Sequence, residues 1–226
     1  MRRFAAFEAL GVRIAAISDL ADGDCAPRTG GETGAGAFLE RVGAPAGSLV
    51  TVRQVHSNTV HVVDSGAPAE PPRTGDALLT GSAGLALGIV VADCVPVYLL
   101  AADVSAIGLV HAGREGVRQG VVEAAARRLM HAFGGSARCM HALIGPSAGP
   151  CCYEVSAAMA AEFARAGYPV RGRNLDLWHA NRQQLEAAGV PPAHIDTANV
   201  CTICSGRYHS LRAGGGRARN LAVLMR

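Results

Sequence analysis

The sequence predicts an α/β fold built on layered, mixed sheets, and three observations carry that expectation. Leu85–Ala92, Val95–Ala101 and Ala106–Val110 are nearly continuous apolar runs, the pattern of strands buried on both faces. Val117, Val121, Val122, Ala125, Leu129 and Phe133 then recur at helical spacing, closed by Gly134-Gly135. Strands and helices alternate without the regular βαβ rhythm of a doubly wound parallel sheet, so a mixed sheet fits better. The 226 residues suit a single domain spanning 1–226.

The remaining elements follow in chain order. Met1-Arg2-Arg3-Phe4 opens like an export signal. Glu8 interrupts the apolar run and no cleavage site follows, so the segment reads as a strand. Gly11–Ile17 is a second apolar strand, Asp22–Gly34 a Gly/Asp/Thr-rich loop, and Ala35–Val42 a short helix. Leu49–Val55 and Thr59–Val63 read as strands. Ser65–Gly75, with Pro68, Pro71 and Pro72, reads as a loop, and Asp76–Thr80 follows directly. Beyond the long helix come a strand at Met140–Ile144 and a tight loop at Gly145–Pro150. Ser156 is placed to cap a helix reaching Ala166, and Asp176–Ala188 forms another; each ends at a glycine. His194–Val200 and Leu221–Met225 are the last strands.

Composition narrows the class. Half the residues are apolar and 17% are charged, enough for a packed core without disulfides. No run reaches the roughly 18 apolar residues a membrane span needs, and Leu85–Leu100 is broken by Asp93 and Pro96. The net charge of +3 is spread over scattered arginines, with some enrichment near the C-terminus. That is no nucleic-acid stripe, and it fits a small anionic substrate. Seven cysteines without an export signal point to the reducing cytoplasm, where free thiols pack, bind metal or act as nucleophiles.

Three positions share one context: a metal-capable side chain at the end of a buried strand. They are His56, Cys94 in Ala92-Asp93-Cys94, and His111 in Val110-His111-Ala112-Gly113. Strand ends meet at one rim, so the three can converge. Two imidazoles and a thiolate suit zinc, and three ligands leave a fourth position for water whose pKa the ion lowers. A satisfied polar histidine or an inert packed cysteine fits the same spacing.

These segments resemble the multicopper polyphenol oxidase or laccase-domain family, of the purine nucleoside phosphorylase-like YfiH type. The matching residues are Gln54-Val55-His56, Gly75-Asp76-Ala77-Leu78-Leu79-Thr80, Ala92-Asp93-Cys94-Val95-Pro96-Val97 and Val110-His111-Ala112-Gly113. Ile144-Gly145-Pro146, Cys152-Tyr153-Glu154-Val155, Cys201-Thr202 and Ser210-Leu211-Arg212 continue the series. The resemblance implies a layered α/β fold shared with cysteine-hydrolase-like proteins. It also implies zinc on His56, Cys94 and His111, with copper as the lesser alternative. The implied enzyme is cytoplasmic and acts on adenosine, inosine, guanosine and methylthioadenosine by phosphorolysis, by deamination of adenosine, or both. Its partners are then a purine nucleoside and phosphate, with neither nucleic acid nor membrane. Cys94 and His111 would be catalytic as well as ligating. Asp76 and Asp93 are candidates for orienting ligands or moving protons, Arg53 and Arg212 for holding phosphate.

Arg114-Glu115-Gly116 stands where the family carries Trp-Arg-Gly, which removes an aromatic surface and replaces an arginine with an acid. Three further readings stay open: a metal-free Cys94–His111 hydrolase, a copper polyphenol oxidase, and a non-catalytic factor that binds or edits peptidoglycan precursors. Three ligands are few for a multicopper cluster. Cys201-Thr202-Ile203-Cys204 lacks a second CxxC and reads as packing. Cys151-Cys152 reads as a reduced pair, because a vicinal disulfide is strained. Gly214-Gly215-Gly216 reads as a flexible loop. His61, His131, His141, His179, His194 and His209 read as surface or core histidines.

Overall fold

Alternation along the strands sorts their side chains into two buried faces. In the last strand Leu221, Val223 and Met225 enter one apolar cluster while Ala222 and Leu224 enter another. The computed structural model describes residues 1–26, 34–45, 47–64, 73–214 and 216–226. Residues 27–33 of the first expected loop, 65–72 of the second with its three prolines, and Gly215 lie outside the described residues.

The strands are β1 (Arg2–Arg3), β2 (Ile14–Ile17), β3 (Leu49–Val50), β4 (Val60–Val62), β5 (Ala77–Thr80), β6 (Ala86–Val91) and β7 (Val95–Ala101). They continue with β8 (Ala106–Ala112), β9 (Met140–Ile144), β10 (Val170–Arg171), β11 (Asn174–Leu175), β12 (Ile195–Thr197) and β13 (Asn220–Met225). The α-helices are α1 (Ala5–Glu8), α2 (Gly34–Val42), α3 (Arg114–Arg118), α4 (Val121–Phe133), α5 (Ala157–Arg165) and α6 (Leu177–Ala187). One sheet has five strands in the order β1-β2-β13-β6-β3, a second has six in the order β12-β9-β7-β8-β5-β4, and β10 and β11 form a separate two-stranded pair. The two large sheets are mixed, as expected. β3 runs parallel to β6, β4 to β5 and β12 to β9, while the other pairings within these two sheets are antiparallel.

Packing follows from those faces. Ala35, Phe38 and Val42 of α2 cover the outer face of the five-stranded sheet. The inner face, with Ile17, Leu87, Ile89 and Leu224, packs on Leu78, Tyr98, Leu100, Ile107 and Leu109 of the six-stranded sheet. The far face of that second sheet, with Leu79, Val97, Leu99 and Val110, lies under α4, α5 and α6. The result is a four-layer α/β/β/α stack. Fully burying each Leu, Ile or Val of the two middle layers contributes about 1.5–3 kcal/mol. Tyr98 lies fully buried between the sheets and satisfies its hydroxyl by donating to the Ala16 carbonyl at 2.9 Å.

Several boundaries differ from the sequence reading, with β2 starting at Ile14 and β12 confined to Ile195–Thr197 where longer strands were expected. β3 ends at Val50, and residues 51–55 run on as irregular chain. β8 extends through Ala112, so His111 sits inside the strand and not beyond it. The helix expected from Arg114 is two helices, broken at Gln119-Gly120, where Gly120 has φ +74°. A side chain at that φ would be strained, so glycine marks the break. The cap of α5 matches expectation, with Ser156 accepting from the Met159 N–H, and α6 is capped by Asp176, which was read as lying within the helix and accepts from the His179 N–H. Among the described residues no helix is long and apolar enough to cross a membrane.

Candidate metal centre

Four links carry the chain between the two large sheets, and the two that run from the five-stranded to the six-stranded sheet each deliver a ligand. The link from β3 to β4 holds His56; the link from β6 to β7 is Ala92-Asp93-Cys94. His111 comes from β8, opposite Pro96 of β7. The ligand atoms of His56, Cys94 and His111 all lie within 4.8 Å of one another. Cys94 Sγ is 3.9 Å from His56 Nε2, and the two imidazoles meet edge to face with centroids 4.9 Å apart. His111 is buried, Cys94 half-buried and His56 exposed, so the trio opens to solvent on the His56 side. Gly113 leaves room for it: a Cβ there would come within 2.7 Å of Cys94 Sγ.

Asp76 organises the trio from beneath. Its buried carboxylate accepts from His111 Nδ1 at 2.8 Å, from the backbone N–H groups of Val55, His56 and Ser57, and from the Ser57 hydroxyl. Burial alone would raise its pKa, but the hydrogen bonds from His111 and Ser57 outweigh that and hold it well below the usual carboxylate range. An ionised carboxylate only accepts, so Nδ1 of His111 carries the proton and Nε2 is left to bind. The same carboxylate steadies His56, whose φ of +61° is a left-handed conformation that a non-glycine residue adopts at a cost. Gln119 Nε2 donates to the His56 carbonyl at 3.1 Å and holds the other side of that turn.

Cys94 and His111 polarise one another. Burial would raise the Cys94 thiol, but the charge and hydrogen bond of His111, helped by His56, pull it down to about 6. Burial would likewise lower His111, but the Cys94 thiolate and the Asp76 hydrogen bond raise it to about 9. One thiolate and two imidazoles form a donor set that fits zinc, and with three ligands one tetrahedral position stays open.

The other expected site residues fall into place unevenly. Asp93, with φ +84°, does not reach an imidazole: its carboxylate accepts from the Thr202 hydroxyl at 2.7 Å and the Arg212 backbone N–H at 2.8 Å. It therefore fixes the 202–212 segment against the residue preceding Cys94. Arg212 donates to the Glu154 carbonyl and lies over the Tyr153 ring at 4.9 Å. Burial and the Cys94 charge raise the Tyr153 pKa, while Arg114 and Arg212 oppose that rise, so all four groups share one electrostatic neighbourhood. Arg53 lines a groove with Thr51, Val52, Gln54, Gly88 and Val90, none of them in the trio. Glu115 binds Arg118 and accepts from Gln119 Nε2 at 3.0 Å; these bonds take its carboxyl down to about 2. The acid that replaces the family's arginine thus steadies the glutamine that holds His56. Ser57, Gln119, Tyr153 and Thr202 were not singled out as site residues from the sequence. Only Tyr153 and Thr202 lay within motifs that could have signalled them.

Fold and trio define a class: a four-layer α/β/β/α protein with a surface-opening His/Cys group able to hold a metal ion. Residues 33–226 match the family model described as multi-copper polyphenol oxidoreductase laccase, and the chain belongs to that family. A purine nucleoside phosphorylase of Corynebacterium glutamicum is 37% identical over 81% of this chain and 76% of its own length. Purine nucleoside phosphorylase YlmD of Geobacillus stearothermophilus is 32% identical over 84% of this chain and 76% of its own. The crystal structure of YlmD superposes with a TM-score of 0.84 over 94% of this chain and 91% of that one. The Bacillus licheniformis protein YfiH, at 22% identity, shares the fold with a TM-score of 0.83 over 94% and 92% of the two chains.

Proposed function

We propose that this chain is a zinc-dependent purine nucleoside enzyme that cleaves the glycosidic bond by phosphorolysis and deaminates adenosine. The observation that carries the reading is the convergence of His56, Cys94 and His111 above the Asp76 carboxylate. Relatives named as purine nucleoside phosphorylases supply the substrate class. Zinc held by His56, Cys94 and His111 would supply a Lewis acid at this site.

The chain's own residues do the rest. Asp76 keeps a proton on His111 Nδ1, so Nε2 is the nitrogen that would turn to the ion. Arg114 and Arg212 place positive charge at the rim, where an anionic phosphate is held best by guanidinium groups. Tyr153, backed by the Arg212 guanidinium, offers a flat surface for a purine in place of the missing tryptophan. Arg53 lines a groove with Gln54 and Val90, two residues before Val55 and the His56 turn. Purified protein incubated with adenosine, with and without phosphate, should yield inosine, and with phosphate adenine and ribose-1-phosphate. No product above a His56→Ala control would remove the purine assignment.

One observation favours a second reading. A cysteine pulled down to about 6 beside a histidine raised to about 9, itself backed by a carboxylate, is the arrangement of a thiolate nucleophile. Zinc analysis separates the two, since the metal-free hydrolase works at full rate without any bound ion.

A further inference from the structure

Four cysteines gather away from the trio. Cys151, Cys152, Cys201 and Cys204 place their sulfurs within 4.8 Å of one another, although two come from the turn after β9 and two from the segment after β12. The two segments are zipped just before the sulfurs. Ser147 bridges Cys201 in parallel register, Ser147 N–H donates to the Val200 carbonyl, and Thr202 N–H donates to the Ser147 carbonyl. Gly149 permits the approach, since a Cβ there would lie 2.7 Å from the Trp178 ring and 3.2 Å from Cys201 Cβ.

The geometry suits a single tetrahedral ion. Zinc–sulfur bonds of about 2.3 Å give a tetrahedron with edges of about 3.8 Å. Cys151 Sγ and Cys204 Sγ are 3.8 Å apart. The Gly149 N–H donates to Cys201 Sγ at 3.3 Å; burial would raise that thiol, but this N–H and the nearby Ile203 and Cys204 N–H groups pull it down to about 7. A neutral thiol is a weak acceptor, so backbone N–H groups turned toward one sulfur suit a thiolate. An iron–sulfur cluster interposes sulfide between its metals and spreads its ligands more widely than this group. All four cysteines are free, and a disulfide would use only two.

We propose that Cys151, Cys152, Cys201 and Cys204 form a second, structural zinc site, closed by four protein sulfurs. Each thiol that binds gives up its proton to solvent. The clamp holds the rim of the trio: Cys152 precedes Tyr153, and Cys201 precedes Thr202, whose hydroxyl fixes Asp93. The proposal is independent of the purine reading and survives its failure.

The test is metal analysis of reduced, zinc-supplemented protein. Wild type should hold about two zinc equivalents, and Cys94→Ala about one, closed structural sites being fully occupied. X-ray absorption at the zinc edge of Cys94→Ala should show sulfur neighbours alone. Cobalt substituted into that variant should give an intense thiolate charge-transfer band, which Cys204→Ser in the same background abolishes. Because the Cys94→Ala arm leaves the four cysteines untouched, it does not depend on how a cluster variant folds. Loss of all zinc in Cys94→Ala would overturn the proposal. So would nitrogen or oxygen neighbours around the retained ion, or free reaction of all four thiols with a disulfide reagent under excess zinc.

Discussion

The His56–Cys94–His111 trio and the four-cysteine group differ in every respect that separates reaction from support. The trio mixes sulfur with nitrogen, leans on a buried carboxylate, opens at an exposed histidine and offers three ligands. The cysteine group is all sulfur, receives backbone N–H groups in place of a carboxylate, and offers four ligands. An open position lets an ion act on a substrate, whereas a filled tetrahedron lets it act only on the fold. In the proposed roles, ligand count and surroundings divide the work between the two groups.

The comparison breaks most visibly at His111. His111→Ala should abolish zinc binding at the trio and cut nucleoside turnover on the order of 10³-fold or more, since a metal contributes several kcal/mol to a barrier at about 1.4 kcal/mol per tenfold. Steady-state rates and metal content of the same preparation check this; turnover within tenfold of wild type would remove the metal from the mechanism. Asp76→Asn should come next, weakening zinc at the trio by about 10–100-fold. Competition against a chromophoric chelator measures it, and the four-cysteine site should be unaffected. Cys204→Ser should do the reverse, lowering the melting temperature while the trio keeps its ion, as calorimetry and metal analysis on one sample will show.

A gentler probe is pH acting on metal-free protein. His111 is raised from 6.5 to about 9, so its contribution to stability is full below 6.5 and is lost as pH climbs through about 9. Cys94 is lowered from 9.0 to about 6, so its contribution is present above 9.0 and is lost as pH falls through about 6. Between about 6.5 and 9 the two slopes oppose each other, so the melting temperature should stay nearly level there, and Cys94→Ala should remove the rising contribution and unmask a decline with rising pH. The smallest effect is expected at Glu115→Ala. An exposed ion pair is worth about 0–1 kcal/mol, so its loss should raise KM a few-fold through Gln119 and His56 while leaving kcat nearly intact.

Much of the fold was legible because its signals were local. β7 and β9, together with the capped helices α5 and α6, fall where apolar runs, Ser156, Asp176 and their closing glycines put them. The division into two sheets was not legible. β6 and β7 both read as doubly buried runs, and nothing in an all-apolar strand says which neighbour it joins. The trio was visible through its motifs, but the partner of Asp76 was not, because a carboxylate after glycine reads equally well as a turn. Asp93 was expected beside an imidazole, whereas its positive φ places the carboxylate against Thr202 and Arg212. Cys201 and Cys204 read as packing and Cys151-Cys152 as a reduced pair because spacing rules look for two CxxC pairs, and here the sequence offers one CxxC and one adjacent pair.

The links that cross between the sheets also set an order of events in folding. His56 and Cys94 both sit on chain that leaves one sheet and enters the other, so neither ligand is in position until the two sheets have docked. If the trio takes up an ion, its capture should then be a late event in refolding, following the docking of the two sheets. A rapid-mixing experiment that follows zinc uptake would time the closing of the Tyr98 layer, with the ion serving as reporter of completed assembly.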